Sequence, residues 1–264
     1  MKYTNTLSII SNSIRQYKLV TPTFYKILDL MEKSGCKYDG SIDHIAFRSF
    51  KSNKGIDNIR KVLLDNDEYT ERDEFEFPEK HLSARWYSSD NYNLPTVFVS
   101  QINEERLSEE SQNIIKSYVK DIKIHKFDGV SKGSDLWNPV LSSDYYKLAK
   151  ESEYAAWTLA FGYSLNHVTI PVHKLSCYNN IKDYVNLLSD NDFKLLNEGT
   201  IQTSDDKLLL QTSTLADTSN IIQENLIPST FVEFIERKVD SNHQLREGFD
   251  PSNANNIFES TNIQ

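Results

Sequence analysis

The spacing of apolar and polar positions along this chain changes period several times, and each change marks an element. In the first forty residues the spacing is helical, with Tyr25, Leu28, Leu30 and Met31 set for an apolar face after the start signal Thr21-Pro22. From Ile42 the period becomes two, and Ile42, His44, Ala46, Arg48 and Phe50 share one face of a strand. A helix over 55–66 and strands over 81–88 and 95–102 follow; with one strand left unplaced they make a βαβββ-like unit. Glu104–Ile122 is amphipathic through Leu107, Ile114, Ile115, Tyr118, Val119 and Ile122, residues 123–143 are turn-rich, and Asp144–Phe161 reads as another helix. Period two returns over Leu165–Val172, followed by a helix over 179–190 and strands over 194–203, 206–213 and 229–239. The polar tail Leu245–Gln264 has the composition of a mobile terminus, yet Phe249, Pro251, Ile257 and Phe258 predict that it docks.

The pattern occurs twice. Asp43-His44-Ile45-Ala46-Phe47 is matched by Asn166-His167-Val168-Thr169-Ile170, the segment Ile56–Asn66 by Ile181–Asn191, and the closing run Pro95–Gln101 by Ser229–Arg237. The expected fold is α+β: two βαβββ-like modules forming a curved sheet or barrel around a shared site, with additional N-terminal and inter-module helices. We expect one catalytic domain over 1–264. It would comprise a helical segment 1–40, a first module 41–103, a helical insertion 104–162, a second module 163–243 and a docking tail 244–264.

Aligning Thr96 with Thr230 sets Val99 against Glu233, so four equivalent corners read His44, Val99, His167 and Glu233. Two histidines and one carboxylate, with the fourth corner apolar, compose an open ferrous site that leaves positions for substrate and dioxygen. Arg48 lies four residues beyond His44 on the same face, about 13 Å away between Cα atoms at ~3.3 Å per residue. A guanidinium reaching back would meet the far end of a short dicarboxylate, and its fork suits bidentate carboxylate binding; an ion pair with a neighbouring acid is the competing role. Arg237 bears the same relation to Glu233 and is read as orienting a carboxylate ligand or securing the strand end. His81, Ser83, Arg85 and Tyr87 form one polar strand face, as do Gln211 and Ser213 on the corresponding strand of the second copy. Either set lines the cavity or faces solvent, and Arg85, Gln211 and Ser213 are candidate substrate contacts. His125, His173 and His243 fall outside the corners and read as surface or structural residues.

Composition narrows the partners. With 38% hydrophobic and 11% aromatic residues the chain is globular, and its formal charge of −9 disfavours nucleic acid, whose phosphates ask for a basic surface. A small anionic substrate needs only a local basic pocket. Eight glycines and no glycine-rich loop disfavour a nucleotide cradle. Cys36 and Cys177 read as two separate buried thiols in a reducing cytoplasm, and the N-terminus has neither a basic n-region nor an apolar h-region. No run approaches the length of a membrane span.

The strings IDHIAFRSF, HLSARWYS, EYAAWTLAFGYSLNHVTI, LLLQTSTLAD, TFVEFIER and LREGFDPSNANNIFEST together resemble the 2-oxoadipate dioxygenase/decarboxylase (2-hydroxyglutarate synthase) family, first catalogued as a domain of unknown function. The resemblance runs from about residue 20 to the C-terminus, in a chain more compact than the characterised decarboxylases. It implies a fold related to the vicinal oxygen chelate enzymes, Fe(II) held by His44, His167 and Glu233, and a substrate-binding Arg48. The implied reaction consumes O₂ and decarboxylates a small 2-oxo acid, 2-oxoadipate to 2-hydroxyglutarate, with no separate protein base. Two other classes compete: a Zn, Ni or Mn lyase, isomerase or hydrolase using the same open site, and a small-molecule-binding protein on the same fold.

Overall fold

The structure is a computed structural model that describes residues 6–64, 68–91, 94–119, 127–178, 180–222 and 225–261. Helices α1 (Thr6–Val20) and α2 (Pro22–Lys33) are separated at Thr21, whose backbone is non-helical because the residue before a proline avoids the helical region. Strand β1 (His44–Phe50) and helix α3 (Gly55–Leu64) follow as expected. The strand left unplaced from sequence is β2 (Thr70–Phe77), TERDEFEF, which the pattern hides because it is mostly polar and largely exposed at a sheet edge. Strands β3 (Leu82–Ser88) and β4 (Thr96–Ile102) complete the first half.

Between the halves lie α4 (Glu109–Val119), the short α5 (Gly133–Leu136), α6 (Ser142–Glu151) and α7 (Glu153–Phe161). The end of the helix expected to Ile122, and His125, lie outside the described residues. The single helix expected over 144–161 is two, because Ser152 is extended and its hydroxyl accepts from Ala155 N to cap α7. Helix α7 is buried on every side, so it has no amphipathic stripe.

The second half holds β5 (Leu165–Pro171), α8 (Ile181–Asp190), β6 (Gln202–Thr203), β7 (Leu209–Ser213), a hairpin of β8 (Thr218–Ile222) and β9 (Asn225–Pro228), and β10 (Phe231–Arg237). The strand expected over 194–203 shrinks to two residues; left-handed backbone at Asn197 and Glu198 interrupts it. The tail carries α9 (Pro251–Ile257) and does dock: Phe249 and Ile257 are buried.

Among the described residues eight strands form one sheet in the order β2-β3-β4-β1-β5-β10-β7-β6. In each half the first strand pairs in parallel with the last, β1 with β4 and β5 with β10, and the halves join through antiparallel β1 and β5. Every residue of β1, β5 and β10 is buried, so the polar side chains on these strands lie in the interior. Cys36 and Cys177 are joined in a disulfide, not held as two thiols; 141 residues separate them, and no local spacing announces the pair. The cysteine argument for a reducing cytoplasm loses its basis with it. Among the described residues no helix is long and apolar enough to cross a membrane.

Candidate metal centre

Three central strands aim one donor each at a common point. His44 stands at the start of β1, His167 on β5 and Glu233 on β10, and their ligand atoms lie within 4.8 Å of one another. Glu233 Oε2 is 3.1 Å from His44 Nε2 and 3.0 Å from His167 Nε2. Metal bonds of about 2.1 Å at right angles put neighbouring donors about 3 Å apart, and both Glu233–histidine edges match that separation. The sequence placed all three residues, and the fold brings all three together.

The surrounding shell fixes their orientation. Asp43 Oδ1 accepts from His44 Nδ1 at 2.9 Å and Asn166 Oδ1 from His167 Nδ1 at 3.0 Å, so each Asx-His pair turns its Nε2 towards Glu233. Arg237 grips Asp43 with a two-pronged fork, both contacts 2.8 Å, and donates to the tail carbonyls of Arg246 and Gly248. It therefore supports a histidine rather than Glu233 itself. Gln211 Nε2 donates to Glu233 Oε1 at 2.5 Å, while its own carbonyl accepts from Asn253 on α9 at 3.1 Å. The Thr169 hydroxyl lies 3.0 Å from His44 Nε2 and 3.2 Å from Glu233 Oε2, a neighbour the sequence reading did not single out.

Charge and burial set the protonation. Burial alone pushes His44 down, but the carboxylates of Glu233 and Asp43 outweigh it and raise its pKa. Burial lowers His167, only partly offset by Glu233. Glu233, which burial would raise, is held well below the usual carboxylate range by the two imidazoles.

Strand register corrects the fourth corner. His44 is paired with Thr96 and Ala46 with Phe98; His167 is paired with Phe231 and Thr169 with Glu233. The position equivalent to Glu233 is therefore Phe98, not Val99. Aligning the threonines was wrong by one residue, and a slip of one carries every side chain to the opposite face. Arg85 takes the solvent-facing one of the two roles its strand face allowed. Arg85 is paired with Val99 on the far face and forms ion pairs with Glu74 at 3.2 Å and Glu71 at 3.7 Å, away from the centre. Of the other two candidate contacts, Gln211 lines the cavity, whereas the Ser213 hydroxyl is bonded to Ser260 of the tail at 2.7 Å.

The cavity at the donors is lined by His44, His167, Glu233, Phe98, Phe249 and Phe258, among others, and its free volume of about 30 Å³ holds one or two waters. Phe249 packs edge-on to His44 with centroids 4.8 Å apart, and Phe231 stacks on His167 at 4.6 Å. Asn166 Nδ2, buried at its rim, has no partner among the described residues. Arg48 is 2% exposed; its Nη1 lies 3.3 Å from Glu153, Nη2 donates to Thr261 Oγ1 at 2.9 Å, and Nε has no hydrogen-bond partner among the described residues.

Comparison with known proteins gives one answer. The sequence model of the 2-oxoadipate dioxygenase/decarboxylase family matches residues 14–132 and 130–240. A relative from Oryza sativa subsp. japonica named 2-oxoadipate dioxygenase/decarboxylase, chloroplastic/amyloplastic, is 37% identical over 96% of this chain and 78% of its own length. The crystal structure of the hydroxyglutarate synthase in complex with 2-oxoadipate from Oryza sativa superposes with a TM-score of 0.83 at 35% identity, covering 97% of this chain and 91% of that one. A glyoxalase superfamily protein from Ralstonia eutropha JMP134, 16% identical with a TM-score of 0.70 over 93% of this chain and 85% of its own, shares the fold. With two Asx-His pairs converging on one carboxylate, and with likeness extending over nearly its whole length, this chain belongs to the 2-oxoadipate dioxygenase/decarboxylase family.

Proposed function

We propose that the protein is an iron(II)-dependent dioxygenase/decarboxylase of a small 2-oxo dicarboxylic acid, converting 2-oxoadipate to 2-hydroxyglutarate. The observation that carries this reading is the convergence of His44, His167 and Glu233, both rings anchored at Nδ1, on the strand face that also bears Arg48. Two imidazoles and one carboxylate suit ferrous iron, and such a centre when loaded supplies the redox chemistry with dioxygen. The protein's own residues do the positioning. Arg48 presents a buried guanidinium with a spare Nε donor to the distal carboxylate, and Asn166 Nδ2 offers a second spare donor near the reacting end. Phe98, Phe231 and Phe249 keep bulk water out of the reacting space.

The present cavity is too small for a six-carbon acid, so the tail bearing Phe249 and Phe258 has to shift when substrate binds. Single-turnover assays of anaerobically iron-loaded protein against 2-oxo acids of graded length, following O₂ uptake and CO₂ release, test the proposal. Metal-dependent turnover without O₂ uptake would instead assign a lyase, isomerase or hydrolase.

A further inference from the structure

Glu153, the first residue of α7, holds its carboxylate against Arg48. Its two oxygens lie 3.3 and 3.4 Å from Nη1, long for a charge-assisted pair, which ordinarily closes to about 2.7–2.9 Å. Arg48 has other supports besides Glu153: the Phe258 carbonyl at 3.3 Å, the rings of Tyr154 and Trp157 at 4.8 and 5.1 Å, and Thr261 Oγ1, which also hydrogen-bonds Glu153. Glu153 lines an outer cavity of about 250 Å³ whose wall Phe258 shares with the cavity at the donors. Glu153 thus lines a cavity that adjoins the one at the metal centre across Phe258.

A charge count shows what substrate must do there. Arg48 and Glu153 cancel, so a distal carboxylate docking on Arg48 sets two anions against one buried guanidinium. The remaining charged neighbours do not relieve this. On the turn before β3, Lys80 is paired with Glu259 of the tail at 3.1 Å, Glu79 adds negative charge, and His81 lies at the outer cavity. On α6, Glu151 is occupied by Ser108 and Ser111, and Tyr145 offers only a phenol. An uncompensated buried anion is strongly unfavourable, and a proton is the simplest compensation.

We infer that Glu153 is a specificity-determining residue that takes up one proton from solvent when a dicarboxylic 2-oxo acid docks on Arg48, an O–H bond forming on its carboxylate and no other bond changing. This rests on the reading of Arg48 as the distal-carboxylate site. Burial already raises the Glu153 pKa, and Arg48 offsets that only in part. A monocarboxylic acid brings no second anion and draws no proton.

Calorimetry of anaerobic, iron-loaded protein, in buffers of differing ionisation enthalpy between about pH 6 and pH 9, tests this with 2-oxoadipate and 2-oxohexanoate as probes. Wild-type protein should take up close to one proton more with 2-oxoadipate, and that affinity should weaken by up to about tenfold per pH unit as pH rises. In Glu153→Gln the excess uptake should vanish and 2-oxoadipate affinity should become flat with pH. No excess uptake in the wild type, or its persistence in Glu153→Gln, overturns the inference. Arg48→Ala separates the two readings. If it binds 2-oxoadipate like wild type, the Arg48 site is wrong; if it loses the dicarboxylate preference while Glu153→Gln keeps the proton, only the role of Glu153 falls.

Discussion

Phe98 holds in the first half of the sheet the place that Glu233 holds in the second: Phe98 on β4 is paired with Ala46 on β1 as Glu233 on β10 is paired with Thr169 on β5. The two halves thus offer three polar corners and one phenyl ring. Replacing Phe98 by Glu should supply a fourth ligand, keep the metal and suppress O₂ uptake at least tenfold by closing an open position. Val99→Glu would instead bury an unpaired carboxylate on the far face and destabilise the fold by more than about 4 kcal/mol. Metal content, O₂ consumption and urea unfolding of both variants check this, and equal behaviour would refute the register argument.

His44→Ala, His167→Ala and Glu233→Ala should each lower bound metal sharply while the protein stays folded. Asp43→Asn, which removes the charge behind His44, should weaken metal affinity about 10–100-fold. Elemental analysis after dialysis against graded chelator ranks the four, and full occupancy in the three ligand variants would defeat the site.

Arg48→Ala should keep iron but lose about 2–5 kcal/mol of transition-state stabilisation towards dicarboxylic 2-oxo acids, the scale for removing one partner of a buried charge pair. Monocarboxylic analogues should lose little, and Arg48→Lys should recover only part because an ammonium has no fork. Comparison of kcat/KM for both substrate types decides; an equal loss would make Arg48 a structural residue.

Acid should destabilise the metal-free protein through Asp43. Burial alone would raise this carboxyl, but Arg237 and His44 hold it well below its usual range. A depressed carboxylate contributes stability that is complete above its unfolded pKa near about 4 and is lost as pH falls towards the lowered folded value. The unfolding free energy should therefore drop below about pH 5, less steeply in Asp43→Asn. Asp43→Ala should cost about 3–5 kcal/mol at neutral pH by stranding Arg237. Urea titrations across this range provide the slopes.

The Cys36–Cys177 bridge closes a long loop, so Cys36→Ser or reduction should cost about 2–5 kcal/mol of stability. A melting temperature unaffected by reductant would show that the bridge does not form in solution.

The sequence made the fold and the donor set legible through repetition. Two Asx-His heads and two closing strands announce a duplicated unit, and duplication supplies the geometry that a separation of 189 residues between His44 and Glu233 would otherwise obscure. Phase along a strand was harder to read. Aligning like residues, Thr96 with Thr230, overlooked that Phe231 rather than Thr230 is the partner of His167, and Val99 was misassigned for that reason. Glu153 and Thr169 carry no local signature, since their roles arise from strands and helices meeting far from each other in sequence. Edge strand β2 was hidden by its polar composition, and the disulfide by its long separation.

The antiparallel seam between β1 and β5 has a consequence for assembly. Each half contributes one histidine across that seam, so neither half alone can present the full set of donors. Metal capture then doubles as a check on the completed molecule: expressed as separate polypeptides, the halves should ignore the ion singly and retain it only after recombining.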